Sequence, residues 1–290
     1  MTDSSTKLLS AHVTVRYPGK APVLKDVNLD IGHGEIVGLV GQSGSGKSTL
    51  ALAILGLLGR KRATAEGSIL FQGGDVLKMS ERDLRNLRGR AMSLVLQSPL
   101  SSLNPALRVR TQLAEAWRAH ASGSRAASDA AIQSAMASVS LPADADFLKK
   151  YPSQLSVGQA QRVLIAMAVI HRPALLLADE ATSALDVITQ SEILDLFARL
   201  HRETGMSILY ISHDLPSVAG ICHRIAILHE GEIVECGSTE QIFSRPNHPY
   251  TQRLMSSLPQ VPAGFKSPSS SALAAAAGNT DGALLGGKHR

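Results

Sequence analysis

The sequence predicts an α/β protein, a mostly parallel sheet flanked by helices and interrupted by a helical insert. Three observations carry this. Short apolar runs alternate with helical stretches in the first part of the chain and again from 174 onward. The run 35–40 ends in a glycine-rich turn that opens into a helix over 47–58, one half of a βαβ unit. Residues 109–147, rich in Ala, Ser and Arg, have helical periodicity and no clear strand, so roughly 98–170 reads as all-helical.

The elements follow in order. Residues 8–17 and 23–31 have the β-branched content and partial alternation of strands, with Val27, Leu29 and Ile31 on one face. A strand at 68–71, a turn at Gly73–Gly74, a charged helix over 81–90 and a strand over 91–96 come next. The proline-bearing stretch 98–105 predicts a loop. A helix over 161–171 closes the insert. Then come a buried strand at 175–178, a helix at 190–204, a strand at 207–211, a helix at 216–222 and a strand at 224–229. Glu230–Gly231 turns the chain into a last strand at 232–235. Residues 259–290 collapse to Ser, Ala and Gly and predict a disordered tail.

Composition narrows the class. With 44% hydrophobic and 3% aromatic residues, aliphatic side chains must build the core. The net charge of +5 is spread along the chain, and the basic run 59–62 predicts a solvated loop. No nucleic-acid partner is expected. Cys222 and Cys236 form no CxxC pair and read as small buried hydrophobes in a reducing compartment. The start MTDSSTKLLSAHVTVRY lacks a basic region followed by an apolar one, so no signal peptide is expected. No run nears the ~18 apolar residues of a spanning helix. Any work at a membrane requires other subunits.

Chemistry concentrates first in Gly41-Gln42-Ser43-Gly44-Ser45-Gly46-Lys47-Ser48, a full G-x-x-x-x-G-K-[ST] match between an apolar strand and a helix. Glycines there let backbone N–H groups converge on phosphate oxygens, and the helix N-terminus adds partial positive charge. Lys47 reaches the β- and γ-phosphates, Ser48 ligates Mg²⁺, and Thr49 meets the α-phosphate. ATP and Mg²⁺ are the expected ligands. The second feature is an apolar strand ending in Asp179 and Glu180. A buried strand tolerates such acids only beside a cation. At the carboxyl edge of a parallel sheet they face the ligand crevice. Asp179 then holds Mg²⁺ through water, and Glu180 polarises the attacking water.

Leu155-Ser156-Val157-Gly158-Gln159, upstream of the acidic pair, resembles the LSGGQ signature of ABC ATPases. Ser156 and Gly158 are kept; Val157 stands where that family usually has glycine. The resemblance spans roughly 8–258 and implies further roles in order. Tyr17 stacks on adenine. Gln97 follows a strand as the Q-loop glutamine, beside Mg²⁺ and the attacking water. Ser183-Ala184-Leu185-Asp186 matches the D-loop, which crosses between subunits. His213, in Ile211-Ser212-His213-Asp214, matches the histidine that contacts the γ-phosphate. Ala181 replaces a usual proline, which implies a less rigid turn after Glu180. The family's fold is a P-loop NTPase core of the RecA-like kind, with a small antiparallel β region and an inserted α-helical subdomain. This divides the chain into core residues 1–97, signature subdomain 98–170, core 171–258 and tail 259–290. In that family the signature segment of one subunit, Ser156, Gly158 and Gln159 here, completes the site built by the phosphate loop of another.

Gln97-Ser98-Pro99-Leu100-Ser101-Ser102-Leu103-Asn104-Pro105 resembles the QDPxxSLNP segment of oligopeptide, dipeptide and nickel importer ATPases. The segment 242–251, IFSRPNHPYT, resembles their IFxxPxHPYT. These likenesses imply a peripheral subunit on the cytoplasmic face of the inner membrane. Its implied partners are integral-membrane permease subunits, a second ATPase subunit (paralogue or self) and, indirectly, a solute-binding protein. Relatives often bind an iron–sulfur cluster through C-terminal cysteines; none follows Cys236, so no cluster is expected. The competing reading is a soluble, non-transport ABC ATPase, which usually carries two cassettes, coiled coils or long basic arms. A purely regulatory nucleotide-binding module is disfavoured by the presence of both Glu180 and His213.

Overall fold

The computed structural model describes residues 7–257. Strands β1 (Lys7–Arg16), β2 (Leu24–Gly32), β4 (Thr64–Phe71) and β5 (Gly74–Asp75) form an antiparallel sheet in the order β2-β1-β4-β5. The larger sheet has six strands: β3 (Ile36–Val40), β6 (Met92–Val95), β7 (Leu175–Asp179), β8 (Ser207–Ser212), β9 (Arg224–His229) and β10 (Glu232–Ser238). Their order is β10-β9-β3-β8-β7-β6, parallel throughout except for the β9–β10 hairpin.

Burial explains the two sheet types. β3 and β8 are buried at every residue, as strands covered on both faces must be. Alternate residues feed two cores. Val37, Leu39, Leu175, Leu177, Leu209 and Ile211 face the antiparallel sheet and α1 (Lys47–Ile54). Ile36, Val40, Leu176, Ala178, Ile208 and Tyr210 face the other way. There they meet α8 (Val187–Thr204), α9 (Leu215–Ile221) and the inserted helices.

Between β6 and β7 the chain is helical. α3 (Pro99–Ser102), α4 (Val109–Arg118), α5 (Arg125–Ser138), α6 (Ala145–Leu148) and α7 (Val157–Val169) pack through Val109, Leu113, Ile132, Met136 and Val163. Arg162 donates to the Val139 carbonyl at 3.0 Å and Arg199 to the Ser138 carbonyl at 2.9 Å, satisfying the open end of α5 from α7 and α8. α2 (Glu81–Leu87), α10 (Thr239–Ser244) and α11 (Pro249–Ser256) complete the set.

Several expectations change. The 98–105 loop contains one helical turn, started by Pro99 with Ser101 and Ser102 hydroxyls bonded to the Ser98 carbonyl. The first helix stops at Ile54, because Gly56 turns left-handed (φ 63°) and Arg88 takes the Leu55 and Gly56 carbonyls. Cys222 is buried as expected, but Cys236 is exposed, lying on the edge strand β10 beside Arg224. The expected tail at 259–290 lies outside the described residues.

Candidate nucleotide site

Four parallel strands deliver the candidate residues to one sheet edge. β3 runs into residues 41–46, β8 into His213, β7 ends in Asp179, and β6 leads to Gln97. This is the carboxyl edge where open α/β sheets take ligands.

The glycines of the loop are required by its shape. Gly44 and Gly46 have φ of 82° and 111°. A Cβ on Gly46 would lie 2.6 Å from Leu24 Cδ2, and one on Gly41 2.2 Å from the Leu228 carbonyl oxygen. Gln42, Ser43 and Gly44 are exposed, whereas Ser45 is buried with an unpartnered hydroxyl. Lys47, 5% exposed, donates to the Gly41 carbonyl at 2.8 Å and the Gln42 carbonyl at 3.1 Å. Its ammonium also lies 3.8 Å from Glu180 Oε1. Burial pulls the Lys47 pKa down, with Glu180 and Asp179 opposing. Ser48 is exposed and Thr49 half-buried on the first turn of α1.

Asp179 closes β7. Its carboxyl is held above the usual carboxylate range by burial, reinforced by the Glu180 charge and opposed by a Ser48 hydrogen bond and by Lys47. Asp179 Oδ1 is buried without a hydrogen-bond partner. Glu180 has a left-handed φ of 49°, uncommon for a side-chain-bearing residue, while its N–H donates to the Ile211 carbonyl at 2.9 Å. Glu180 Oε1 lies 3.3 Å from His213 Nδ1. One carboxylate oxygen therefore sits between the Lys47 ammonium and an imidazole.

The remaining candidates sit on other segments. Gln97 is exposed just past β6. Tyr17 follows β1 and packs, half-buried, on the core under α1. Ser156 caps α7: its hydroxyl accepts from the Gln159 N–H, and Gln159 Oε1 accepts from the Ser156 N–H, both at 3.2 Å. Gly158 presses on α8, where an added Cβ would meet Thr189 Cγ2 at 2.8 Å. Asp186, the last residue of the D-loop match, is engaged locally in the single chain. Its carboxylate accepts from the Ile188 and Thr189 N–H groups and the Thr189 hydroxyl, capping α8. The walls formed by Leu228 and Leu24 have no sequence signal, since one acts through its carbonyl and both are ordinary core leucines.

The comparisons with known proteins now bear on this geometry. The family model described as ABC transporter matches residues 24–183. The chain belongs to the ABC transporter family. It is an ABC-type transport ATPase subunit. A second family model, the C-terminal region of oligopeptide/dipeptide transporters, matches residues 234–279. The dipeptide transport ATP-binding protein DppD of Bacillus subtilis is 40% identical over 246 residues, covering 84% of this ABC subunit and 73% of the relative. The glutathione import ATP-binding protein GsiA of Salmonella typhimurium is 41% identical over 244 residues, 82% of this chain and 39% of that one. Among solved structures, the dimeric ATP-binding cassette MJ0796 bound to ADP and Pi has a TM-score of 0.69 at 29% identity, covering 80% of this chain and 98% of that one. CbiO1 from Clostridium perfringens, part of the ABC transporter complex cbiONQ, has a TM-score of 0.72 at 25% identity, covering 83% and 92%. Both neighbours are P-loop ATPase cassettes, the predicted fold class.

Proposed function

We propose that this ABC ATPase powers an importer of peptides or related small solutes, and that its chemistry runs through Glu180. The observation that carries the reading is the single Glu180 oxygen set between Lys47 and His213 at the mouth of the phosphate loop. The loop amides and Lys47 bind the β- and γ-phosphates of ATP. Lys47 then exchanges its bonds to the Gly41 and Gln42 carbonyls for phosphate oxygens. Glu180 takes the proton of the attacking water, and His213 orients Glu180 and meets the γ-phosphate. Tyr17 stacks on adenine.

The donor set fits Mg²⁺. Asp179 presents a buried, unpartnered oxygen beside the Ser48 hydroxyl, a hard oxygen pair that a divalent cation satisfies. Ser48 and Asp179 would hold the ion, with Gln97 adjoining. Its charge supplies neutralisation of the phosphates.

Ser156, Gly158 and Gln159 lie at the start of α7 beside α8, on a segment separate in sequence from the phosphate loop, and we read them as one half of a two-chain site. We read residues 98–170 as the signature subdomain, with the core on either side. The partner ATPase is a second copy or a paralogue. Permease subunits hold the pair on the cytoplasmic face of the membrane, and a solute-binding protein acts through them. No described helix is long and apolar enough to cross a membrane, which fits a peripheral subunit. No role for nucleic acid is assigned.

Glu180→Gln is the test. Hydrolysis should fall by roughly 100-fold or more, the scale of a lost general base, with ATP affinity retained. Undiminished turnover would remove Glu180 from the mechanism.

A further inference from the structure

The segment matching IFxxPxHPYT has no place in the nucleotide chemistry, yet it touches the strand that backs the phosphate loop. His229 ends β9, and its imidazole stacks on the Tyr250 ring with centroids 3.7 Å apart and planes 17° from parallel. Tyr250 is 4% exposed, and its hydroxyl has no hydrogen-bond partner. The ring, not the hydroxyl, makes the contact. On the neighbouring strand β10, the Glu235 carboxylate accepts the N–H groups of Asn247 at 2.8 Å and His248 at 3.0 Å. These bonds and a Thr251 contact hold Glu235 below the usual carboxylate range despite its burial. His248 in turn caps α11, its Nδ1 accepting from the Tyr250 N–H.

Side chains alternate across a strand. His229 therefore faces Tyr250, while its neighbour Leu228 faces the loop. The Leu228 carbonyl crowds the α-carbon of Gly41, and its side chain reaches toward Gly46. β9 also pairs with the strand feeding the loop, Val40 opposite Ile227. On that side only the β9–β10 hairpin stands between β3 and the sheet edge.

We propose that Glu235 and Tyr250 are positioning residues for ATP binding: they clamp the β9–β10 hairpin so that Leu228 holds Gly41 and Gly46 in the phosphate-binding conformation. This rests on the loop being the nucleotide site.

The test uses the full chain, a fluorescent ATP analogue and amide hydrogen exchange. Tyr250→Ala should weaken analogue binding by up to about tenfold, the scale of a stacked aromatic pair. It should speed exchange in residues 41–46 while leaving 132–136 in α5 unchanged. Tyr250→Phe should behave as the parent chain. Unchanged affinity with unchanged loop exchange in Tyr250→Ala overturns the proposal. So does uniform acceleration across the molecule, which marks a merely stabilising contact, and so does a Phe variant as impaired as Ala. Should the Ala variant fail to fold, Glu235→Gln decides by the same readouts, with unaltered loop exchange and affinity as the overturning result. A parent chain that binds no analogue would sink the nucleotide reading itself. The exchange comparison would still decide the clamp.

Discussion

At the scale of single residues, Asp179 separates stability from function. Its raised pKa means the ionised form is disfavoured in the fold, chiefly by burial. Stability is therefore lost as pH rises through that pKa, and at neutral pH the charge is a liability. Asp179→Asn keeps the shape and drops the charge. It should raise Tm at pH 7–8 without nucleotide, since the fold no longer buries a charge there. The same variant should lose Mg²⁺-dependent ATPase activity. A thermal scan with and without Mg-ATP reads both, and a lowered Tm without nucleotide would contradict the account. The position of the acidic pair was legible because an apolar strand ending in two acids opens onto a sheet edge. The left-handed Glu180 was not legible, because its conformation is imposed by the Ile211 carbonyl and by packing around the buried Ala181. The capping role of Asp186 was not singled out for a related reason: an acid before a helix serves as a cap or as a ligand, and only the structure shows the bonds to the Ile188 and Thr189 N–H groups.

At the scale of elements, two junctions make testable statements. The Gly158 Cα abuts Thr189 Cγ2, while the Thr189 hydroxyl is tied to Asp186. Gly158→Ala should destabilise by about 1–3 kcal/mol, the usual range for overpacking. Thr189→Ser removes only the clashing methyl, so the double variant should recover most of that loss by denaturant melts. Additive effects would mean that Gly158 is needed for reasons other than this contact. The second junction joins β2, β3 and β9. Glu35 accepts from Arg224 at 2.9 Å and from the Gly32 N–H at 2.7 Å, and these bonds hold its pKa below 4.5 against the opposing effect of burial. A depressed carboxylate stabilises above its unfolded pKa and loses that contribution as pH falls. Glu35→Gln should therefore be less stable at neutral pH, with a shallower acid limb below about 4.5, measured by urea melts across pH. An acid limb as steep as the parent's would exclude Glu35 as its source. Strand positions were readable from apolar runs, but β4 begins at Thr64 and β10 runs to Ser238, because pairing extends both past their apolar centres. The α3 turn hid in a polar segment because its start depends on a single proline and two serines.

At the scale of the whole molecule, the apolar residues at the start of α8 point outward. Val187 is 82% exposed and Ile188 75%, close in sequence to Thr189, on which Gly158 rests. On the proposed two-chain site a partner covers this ridge. For a pair of identical chains, ATP should double the mass of Glu180→Gln in light scattering, and adding Ile188→Asp should abolish the doubling while leaving ATP affinity intact. A doubling that survives Ile188→Asp would place the interface elsewhere. The α/β class and the helical insert were legible from periodicity alone. The order of the strands was not, because pairing partners leave no mark on a single sequence. That order has a consequence for how the protein is made. Both neighbours of β3, namely β8 and β9, come from residues after Met206. Loop, lysine and acidic pair are all synthesised before either flank of β3 exists. Of the large sheet's pairings, β6 with β7 alone needs no residue beyond Met206. Long-range pairing of this kind is slow, so nucleotide competence should be among the last properties the chain acquires.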